Sequence, residues 1–145
     1  MDPTHSEAVL RRSIRKYFID TLVTVDKLVL DFDFSYTEPP GDTWVVIKSG
    51  GLYLDTLAKM DLVIYIFAKN DLSGEKLAVL RDTVYNRLVD DSANDGRARI
   101  ALYNASWVII GYAVITFVGR ESEKGKGESG SFYKWIQVRL NWGAK

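Results

Sequence analysis

A long segment without an apolar side chain, residues 119–131, lies between two strongly apolar runs. It reads GRESEKGKGESGS, and the runs beside it are residues 107–118 and 132–142. Both runs have the composition of β-strands, so the segment is predicted to form the long, flexible tip of a hairpin. Loops of this length in compact domains usually bind a partner or stay disordered. The pattern therefore favours a rigid sheet that carries an arm for contact with a partner.

The composition is that of one ordinary globular domain, predicted to span residues 1–145. Nineteen basic and nineteen acidic residues cancel, which disfavours nucleic acid or an anionic membrane as the main partner. The chain has no cysteine, which removes disulfides, thiolate catalysis and thiolate metal sites and fits a reducing compartment. Neither a signal peptide nor an apolar run near the ~20 residues that cross a bilayer is present, so no membrane partner is expected.

Hydrophobic periodicity predicts two amphipathic helices. The first begins with Thr4 as its N-cap, and its apolar stripe continues to Val25. The second is capped by Asp71 or Ser73 and continues to Asp90.

Six stretches have strand patterns, three before the second helix and three after it. They are residues 28–36, 43–48, 60–68, 97–103, 107–118 and 132–142. The stretch 60–68 is apolar on both faces, so both faces are expected to be covered. This order predicts the α+β class, with a mixed, mainly antiparallel sheet of about five to six strands and two helices packed on it.

The sequence offers little for catalysis, and no catalytic, cofactor-binding or metal-binding residue is predicted. The single histidine, His5, is expected to be exposed near the chain end, a poor position for a catalytic base. Asp31 and Asp33 lie two apart on a predicted strand and so share a face. They are interpreted as solvent-facing acids that discourage edge pairing. The alternative is a small Mg²⁺-dependent hydrolase that uses them together with Asp61.

Aromatic side chains on polar strand faces give the clearest indication of function. Tyr133 and Trp135 lie on the polar face of the last strand, and Trp44 opens another strand beside a Pro-Pro-Gly turn. Aromatic residues and arginine on a mixed face are typical of protein interfaces. The alternative is that a second layer within the monomer, such as the first helix, covers them. Trp142 lies on the apolar face and is assigned to the core.

The order of elements, together with three short motifs, resembles the small tail terminator (tail completion) proteins of long-tailed bacteriophages. The motifs are Gly51-Leu-Tyr-Leu54, Asp61-Leu-Val-Ile-Tyr-Ile-Phe-Ala-Lys-Asn-Asp71 and Val84-Tyr-Asn-Arg-Leu88. The resemblance implies a non-enzymatic virion protein that forms a ring, commonly a hexamer, at the head-proximal end of the tail. Such a ring caps the tail tube, ends tail polymerisation and provides the joint to the head connector.

The resemblance also implies the partners and their location. The partners are further copies of the chain, the tail tube protein and head connector or neck proteins, while DNA passes through the ring lumen without specific binding. Assembly takes place in the host cytoplasm, and no cofactor takes part. The strands at 107–118 and 132–142 form part of the subunit sheet. Their connecting arm, residues 120–131, projects towards the tube or lumen and becomes ordered on contact.

The predicted interface combines strand positions with the charges of the arm. Its residues are Trp44, Lys48, Arg120, Glu121, Glu123, Lys124, Lys126, Glu128, Tyr133, Trp135 and Arg139. Two other functions remain open on the same observations. One is another component of the virion neck or baseplate, and the other is an adaptor whose arm at 119–131 binds a host protein.

Overall fold

Two helices lie on one face of a seven-stranded sheet in the computed structural model, which describes residues 5–54, 57–127 and 130–143. The elements are α1 (Glu7–Phe18), β1 (Leu30–Phe32), β2 (Thr43–Tyr53), β3 (Leu57–Lys69), α2 (Glu75–Tyr85), β4 (Arg99–Tyr103), β5 (Ile109–Phe117), β6 (Gly125–Lys126) and β7 (Ser131–Gly143). The strand order is β1-β2-β3-β7-β5-β4, and β6 also pairs with β7. β1 and β2 run parallel, whereas the other pairs are antiparallel. The predicted α+β class is therefore confirmed.

The core lies between the helices and one face of the sheet. Along β3, alternate residues from Ala58 to Ala68 are buried, and the residues between them are half-buried. The buried set packs with Phe18 of α1 and Leu77 of α2. Successive side chains of a strand point to opposite faces, so the half-buried set lies on the face without helices. The prediction that residues 60–68 are covered on both faces is confirmed in part: both helices pack on one side, and the loop after β1 covers part of the other, where Phe34 contacts Tyr65 and Phe67.

The N-termini of the helices are capped by acceptor side chains. Ser6 caps α1, since its hydroxyl accepts a hydrogen bond from the Val9 N–H at 3.3 Å. The predicted cap, Thr4, lies outside the described residues. Before α2, the buried carboxylate of Asp71 accepts two N–H groups of the first turn, at 2.8 and 3.1 Å. Both caps satisfy backbone donors that a helix leaves unpaired at its start.

Both helices end before the predicted positions. The first continues for one π-helical turn, Ile19–Val23, and Val25 beyond it is 61% exposed. α2 ends at Tyr85 rather than Asp90, because the chain makes tight turns over residues 86–88. Among the described residues, no helix is long and apolar enough to span a membrane.

α1 contacts both edge strands of the sheet. On one side, the Tyr103 N–H at the end of β4 donates to the Ser13 hydroxyl at 2.8 Å. On the other side, the Arg15 guanidinium lies 4.5 Å from the ring centre of Phe32 in β1. The sheet therefore curls around this helix, and its opposite face points outwards.

The first predicted strand, residues 28–36, is mostly a loop. β1 includes only Leu30–Phe32, because Asp33 and Phe34 adopt positive φ angles of 57° and 55°. Side chains with a Cβ rarely take this left-handed conformation, and it breaks the extended backbone of a strand. The chain then crosses onto the outer sheet face over residues 33–42, where Phe34 contacts rings of β3.

β2 is longer than predicted. It continues to Tyr53 across a β-bulge between Ser49 and Leu52. Gly50 lies in this bulge, and a Cβ at its position would stand 3.0 Å from the carbonyl oxygen of Asp61 in β3. Glycine is common where two backbones approach this closely, so the glycine pair continues the strand instead of ending it.

The arm at residues 119–131 connects β5 to β7, as predicted, but its described part runs along β7. The Ser122 N–H donates to the Trp135 carbonyl at 3.1 Å, and the Trp135 N–H donates to the Ser122 hydroxyl at 2.8 Å. Further along, β6 pairs with the first residues of β7. At the end of the described stretch, the Gly127 N–H donates to the Ser131 carbonyl at 2.8 Å. The flexibility of the arm stays a prediction.

Candidate interface on the helix-free sheet face

A groove lined by aromatic rings crosses the sheet face that carries no helix. It encloses about 630 Å³ and is formed by the loop after β1 together with β2, β3 and β7. Its aromatic residues are Phe34, Tyr36, Trp44, Tyr65, Phe67, Tyr133 and Trp135. The register of β3 against β7 sets Tyr65 opposite Trp135 and Phe67 opposite Tyr133. Because these four positions alternate with core positions, their side chains all reach the same outer face.

Ring contacts connect the wall of the groove across three strands. Trp44 stacks on Phe67 with ring centres 4.8 Å apart and planes inclined by 4°. The ring centres of Phe67 and Tyr133 are 5.9 Å apart, and those of Tyr133 and Trp135 are 6.3 Å apart. Aromatic pairs of this kind contribute about 0.5–1.5 kcal/mol each beyond their buried area. The groove is therefore a preformed surface.

The loop after β1 forms the outer wall of the groove. Phe34 packs edge-on against Tyr65 with ring centres 5.0 Å apart. The Trp44 indole N–H donates to the Tyr36 hydroxyl at 2.9 Å. Trp44 is consequently only 2% exposed, whereas Phe34 and Trp135 are 38% and 37% exposed. The floor of the groove is covered, and its rim presents apolar rings to solvent.

The three aromatic residues proposed from the sequence, Trp44, Tyr133 and Trp135, all line this groove. The first helix does not cover them, because α1 packs on the other face of the sheet. The alternative of a covering layer within the monomer nevertheless holds for Trp44, which the loop after β1 leaves only 2% exposed, so Trp44 is not free to meet a partner as predicted. Lys48 lies on the outer face as well and is exposed. Trp142 is 3% exposed, which confirms its assignment to the core.

Two charged residues of the arm make contacts within the chain. Arg81 of α2 donates to both carboxylate oxygens of Glu121, with an Nε–Oε1 distance of 2.9 Å, and Lys134 Nζ lies 3.5 Å from Oε1. The hydrogen bond from Arg81 is the main reason that the pKa of the Glu121 carboxyl lies below its ordinary value. Lys124 Nζ donates to the Leu72 carbonyl at 3.1 Å. These contacts hold the arm against α2.

The other charged residues of the arm remain available to a partner or lie outside the described part. Three of them are exposed: Arg120, Glu123 and Lys126. Glu128 lies outside the described residues. The arm passes close to the groove at Gly125, where a Cβ would come within 2.7 Å of Cζ of Tyr133. Only a residue without a side chain permits this approach unless the ring moves.

The turn between β4 and β5 carries exposed apolar residues that the sequence analysis missed. We call Trp107, Val108 and Ile109 the apolar tip; they are 57%, 56% and 46% exposed. Further along β5, Tyr112 is 56% exposed. Single exposed apolar residues are common, but a contiguous group marks an interaction site. The sequence does contain a signal for the tip: the apolar run at 107–118 is long. Its first residues extend beyond the end of β7, as the pairing of Val114 with Asn141 shows.

The described residues give no support to the hydrolase alternative. No group of three or more His, Asp or Glu side chains among them could hold a metal ion. Asp33 lies outside β1, so it does not share a strand face with Asp31, and each carboxylate accepts a backbone N–H, at 3.0 and 2.8 Å. Asp61 accepts from Arg139 Nε at 2.7 Å. His5, expected to be exposed, is half-buried.

The fold and the groove define an α+β domain with one helix-covered face and one open aromatic face. A solved chain described as part of the virion of a native gene transfer agent particle shares this fold, with a TM-score of 0.59 and 17% identity, over 96% of this chain and 100% of its own. A second solved chain matches with a TM-score of 0.59 and 8% identity, over 97% and 98%. At these identities the likeness shows the fold alone. The sequence matches no protein-family model and no curated protein.

Proposed function

We propose that this chain is a non-enzymatic structural protein of a phage-like virion that assembles with copies of itself. The observation that carries the proposal is the fold shared, over 96% of the chain, with a component of a gene transfer agent virion. Because a fold by itself does not determine function, the surface gives separate support. The rim of the aromatic groove and the apolar tip present apolar side chains that the monomer leaves exposed, as interface surfaces do before assembly.

Within the particle, we place the protein at the head-proximal end of the tail. There a ring, commonly of six copies, caps the tail tube, ends its polymerisation and joins it to the head connector. The resemblance to tail terminator proteins supports this position. Equal numbers of acidic and basic residues fit a ring through which DNA passes without specific binding, since no net charge retains a polyanion. The partners are then the tail tube protein and head connector or neck proteins.

Deletion of the coding sequence from the particle-producing genome tests the proposal. Electron microscopy of the lysate should reveal DNA-filled heads without tails beside tail tubes of uncontrolled length. The intact gene supplied in trans should restore normal particles. Heads joined to tails of normal length would contradict the capping function.

The same lysates separate the capping function from the neighbouring alternative. A component of the baseplate acts at the far end of the tail, so its loss would leave tubes without their distal structure. Antibody labelling of intact particles gives an independent position, and label at the head–tail joint is the expected result.

A further inference from the structure

We propose that copies of this chain join head to tail, with the apolar tip of one copy seated in the aromatic groove of the next. The inference rests on the proposed function only in taking a second copy as the partner. It assigns an occupant to each of the two apolar surfaces that the monomer leaves uncovered. The tip is Trp107, Val108 and Ile109, and the groove is the ring-lined surface around Tyr133 and Trp135.

The tip and the groove lie at opposite ends of the molecule. β5 pairs with β7 from Val114 opposite Asn141 to Phe117 opposite Val138, so the turn before β5 extends past the C-terminal end of β7. The groove lies at the N-terminal end of β7, around Tyr133. At about 3.3 Å per residue, the stretch of β7 from Tyr133 to Asn141 alone spans about 26 Å. A tip therefore cannot reach the groove of its own chain, and contact between them requires two copies.

The two surfaces match in chemistry. In protein interfaces, tryptophan is enriched among the few residues that contribute most of the binding energy, and such residues are seated in well-packed pockets. Trp107 is exposed at the end of a hairpin, where a partner meets it first. The groove volume of about 630 Å³ lies within the range of pockets that enclose small organic ligands, and an indole with its aliphatic neighbours is of that size.

The charges beside the two surfaces are opposite. Glu38 lines the groove and Asp42 is exposed in the same loop, and neither forms an ion pair within the described part of the chain. Arg12 and Arg15 of α1 line a surface cavity together with Trp107. The Arg12 Cζ atom lies 5.9 Å from the centre of the Trp107 ring. These two arginines also lack an ion pair among the described residues. Docking brings unpaired cations towards unpaired carboxylates, which favours this orientation.

A contact between two different surfaces has a consequence for assembly. Each copy offers one tip and one groove, so every bound copy leaves one of each for a further copy. Such head-to-tail contacts produce a closed ring when the rotation between neighbours closes, whereas a contact of one surface with itself ends at a dimer. The arrangement therefore fits the proposed ring.

Cross-linking between single-cysteine variants tests the contact, because the natural chain contains no cysteine. Val108→Cys protein is mixed with Thr37→Cys protein, whose cysteine lines the groove, and treated with a short bis-maleimide. The control replaces Val108→Cys with Leu72→Cys, a position in the turn before α2 that is 84% exposed and lies outside the apolar tip. The Val108 and Thr37 pair should cross-link about tenfold faster than the control pair, as expected for a populated complex of modest affinity. Adding Trp107→Glu to the Val108→Cys chain should lower its rate to that of the control, since loss of a central tryptophan weakens a contact about 30-fold.

Two results would overturn the proposal. One is a Val108 and Thr37 pair that cross-links no faster than the Leu72 control. The other is Val108→Cys protein that cross-links mainly to itself, which indicates contact between two tips. All substituted positions are exposed, and thermal unfolding of each variant checks that it is folded. The deletion phenotype tests the capping function separately from the cross-linking. A normal capping phenotype without cross-linking would reject only this contact, and cross-linking in a protein located elsewhere in the virion would reject only the capping function.

Discussion

At the scale of single residues, the ion pair between Arg81 and Glu121 makes stability depend on pH in a defined direction. The pKa of Glu121 is lower in the folded chain than its ordinary value of 4.5, chiefly because Arg81 donates to the carboxylate. The unfolded chain then binds a proton at a higher pH than the folded chain does. The stabilisation is therefore fully present above pH 4.5 and is lost as the pH falls through the folded pKa.

We expect Glu121→Gln to lower the free energy of unfolding by about 1 kcal/mol at pH 7, the usual size of a partly exposed charge-assisted contact. Urea unfolding at pH 7 and at about pH 3 measures the difference, which should shrink at the lower pH because the unfolded chain, with the ordinary pKa of 4.5, then binds a proton at Glu121. Glu123→Gln, at an exposed neighbouring position, is the matched control and should change little at either pH. An equal loss at both values for Glu121→Gln would contradict the assignment.

Residues of the groove could be predicted from the sequence where strand alternation decides the face. Tyr133 and Trp135 follow the two-residue period of β7 and were found in this way. Tyr65 and Phe67 follow the same rule in β3, but that strand is apolar on both sides, so the pattern does not tell which face the helices cover. The predicted strand at 28–36 places Phe34 on the same buried face as Phe32, which is wrong, because its position depends on a left-handed backbone that no periodicity encodes.

At the scale of elements, α2 depends on a buried carboxylate at its start. Asp71 is 3% exposed and accepts two backbone N–H groups. Ser73 is exposed and accepts one, from Glu75 at 3.3 Å. The two candidates for the cap, which the sequence left open, therefore both contribute, and Asp71 makes the larger contribution.

We expect Asp71→Ala to lower the free energy of unfolding by about 1–2 kcal/mol, because it removes a cap and leaves buried donors unpaired. Ser73→Ala is the matched control, and its effect should be a few tenths of a kcal/mol. Chemical denaturation measures both, and hydrogen exchange at the amides of the first turn of α2 locates the effect. Equal losses for the two variants would show that the buried carboxylate has no special role.

The sequence predicts long periodic elements well and predicts their ends poorly. The apolar stripe of α2 and the two-residue alternation of β7 are predictable, because in each element the same face is buried along the whole length. β1 is cut short at Phe32 by two residues with positive φ, and β2 continues through a glycine pair because a bulge absorbs it. The arm at 119–131 pairs along β7 through backbone groups, and side-chain composition gives no indication of such pairing.

At the scale of the whole molecule, one monomer cannot bury all of its apolar surface. The helices cover one face of the sheet, and the groove and the tip remain open at opposite ends. Apolar area removed from water stabilises by about 25 cal/mol per Å², so both surfaces favour association. The charges disposed around them then select which surface meets which.

This arrangement predicts that stability depends on protein concentration. A partner that binds only the folded state stabilises it, and each tenfold rise in concentration above the dissociation constant contributes about 1.4 kcal/mol. For a domain of this length, that corresponds to a rise in melting temperature of about 3–6 °C. Trp107→Glu removes the tip, so its melting temperature should be the same at every concentration. Leu72→Glu, which adds the same charge at another exposed position, should retain the dependence of the natural chain; a loss of the dependence in both variants would mean that charge in general, and not the tip, controls association.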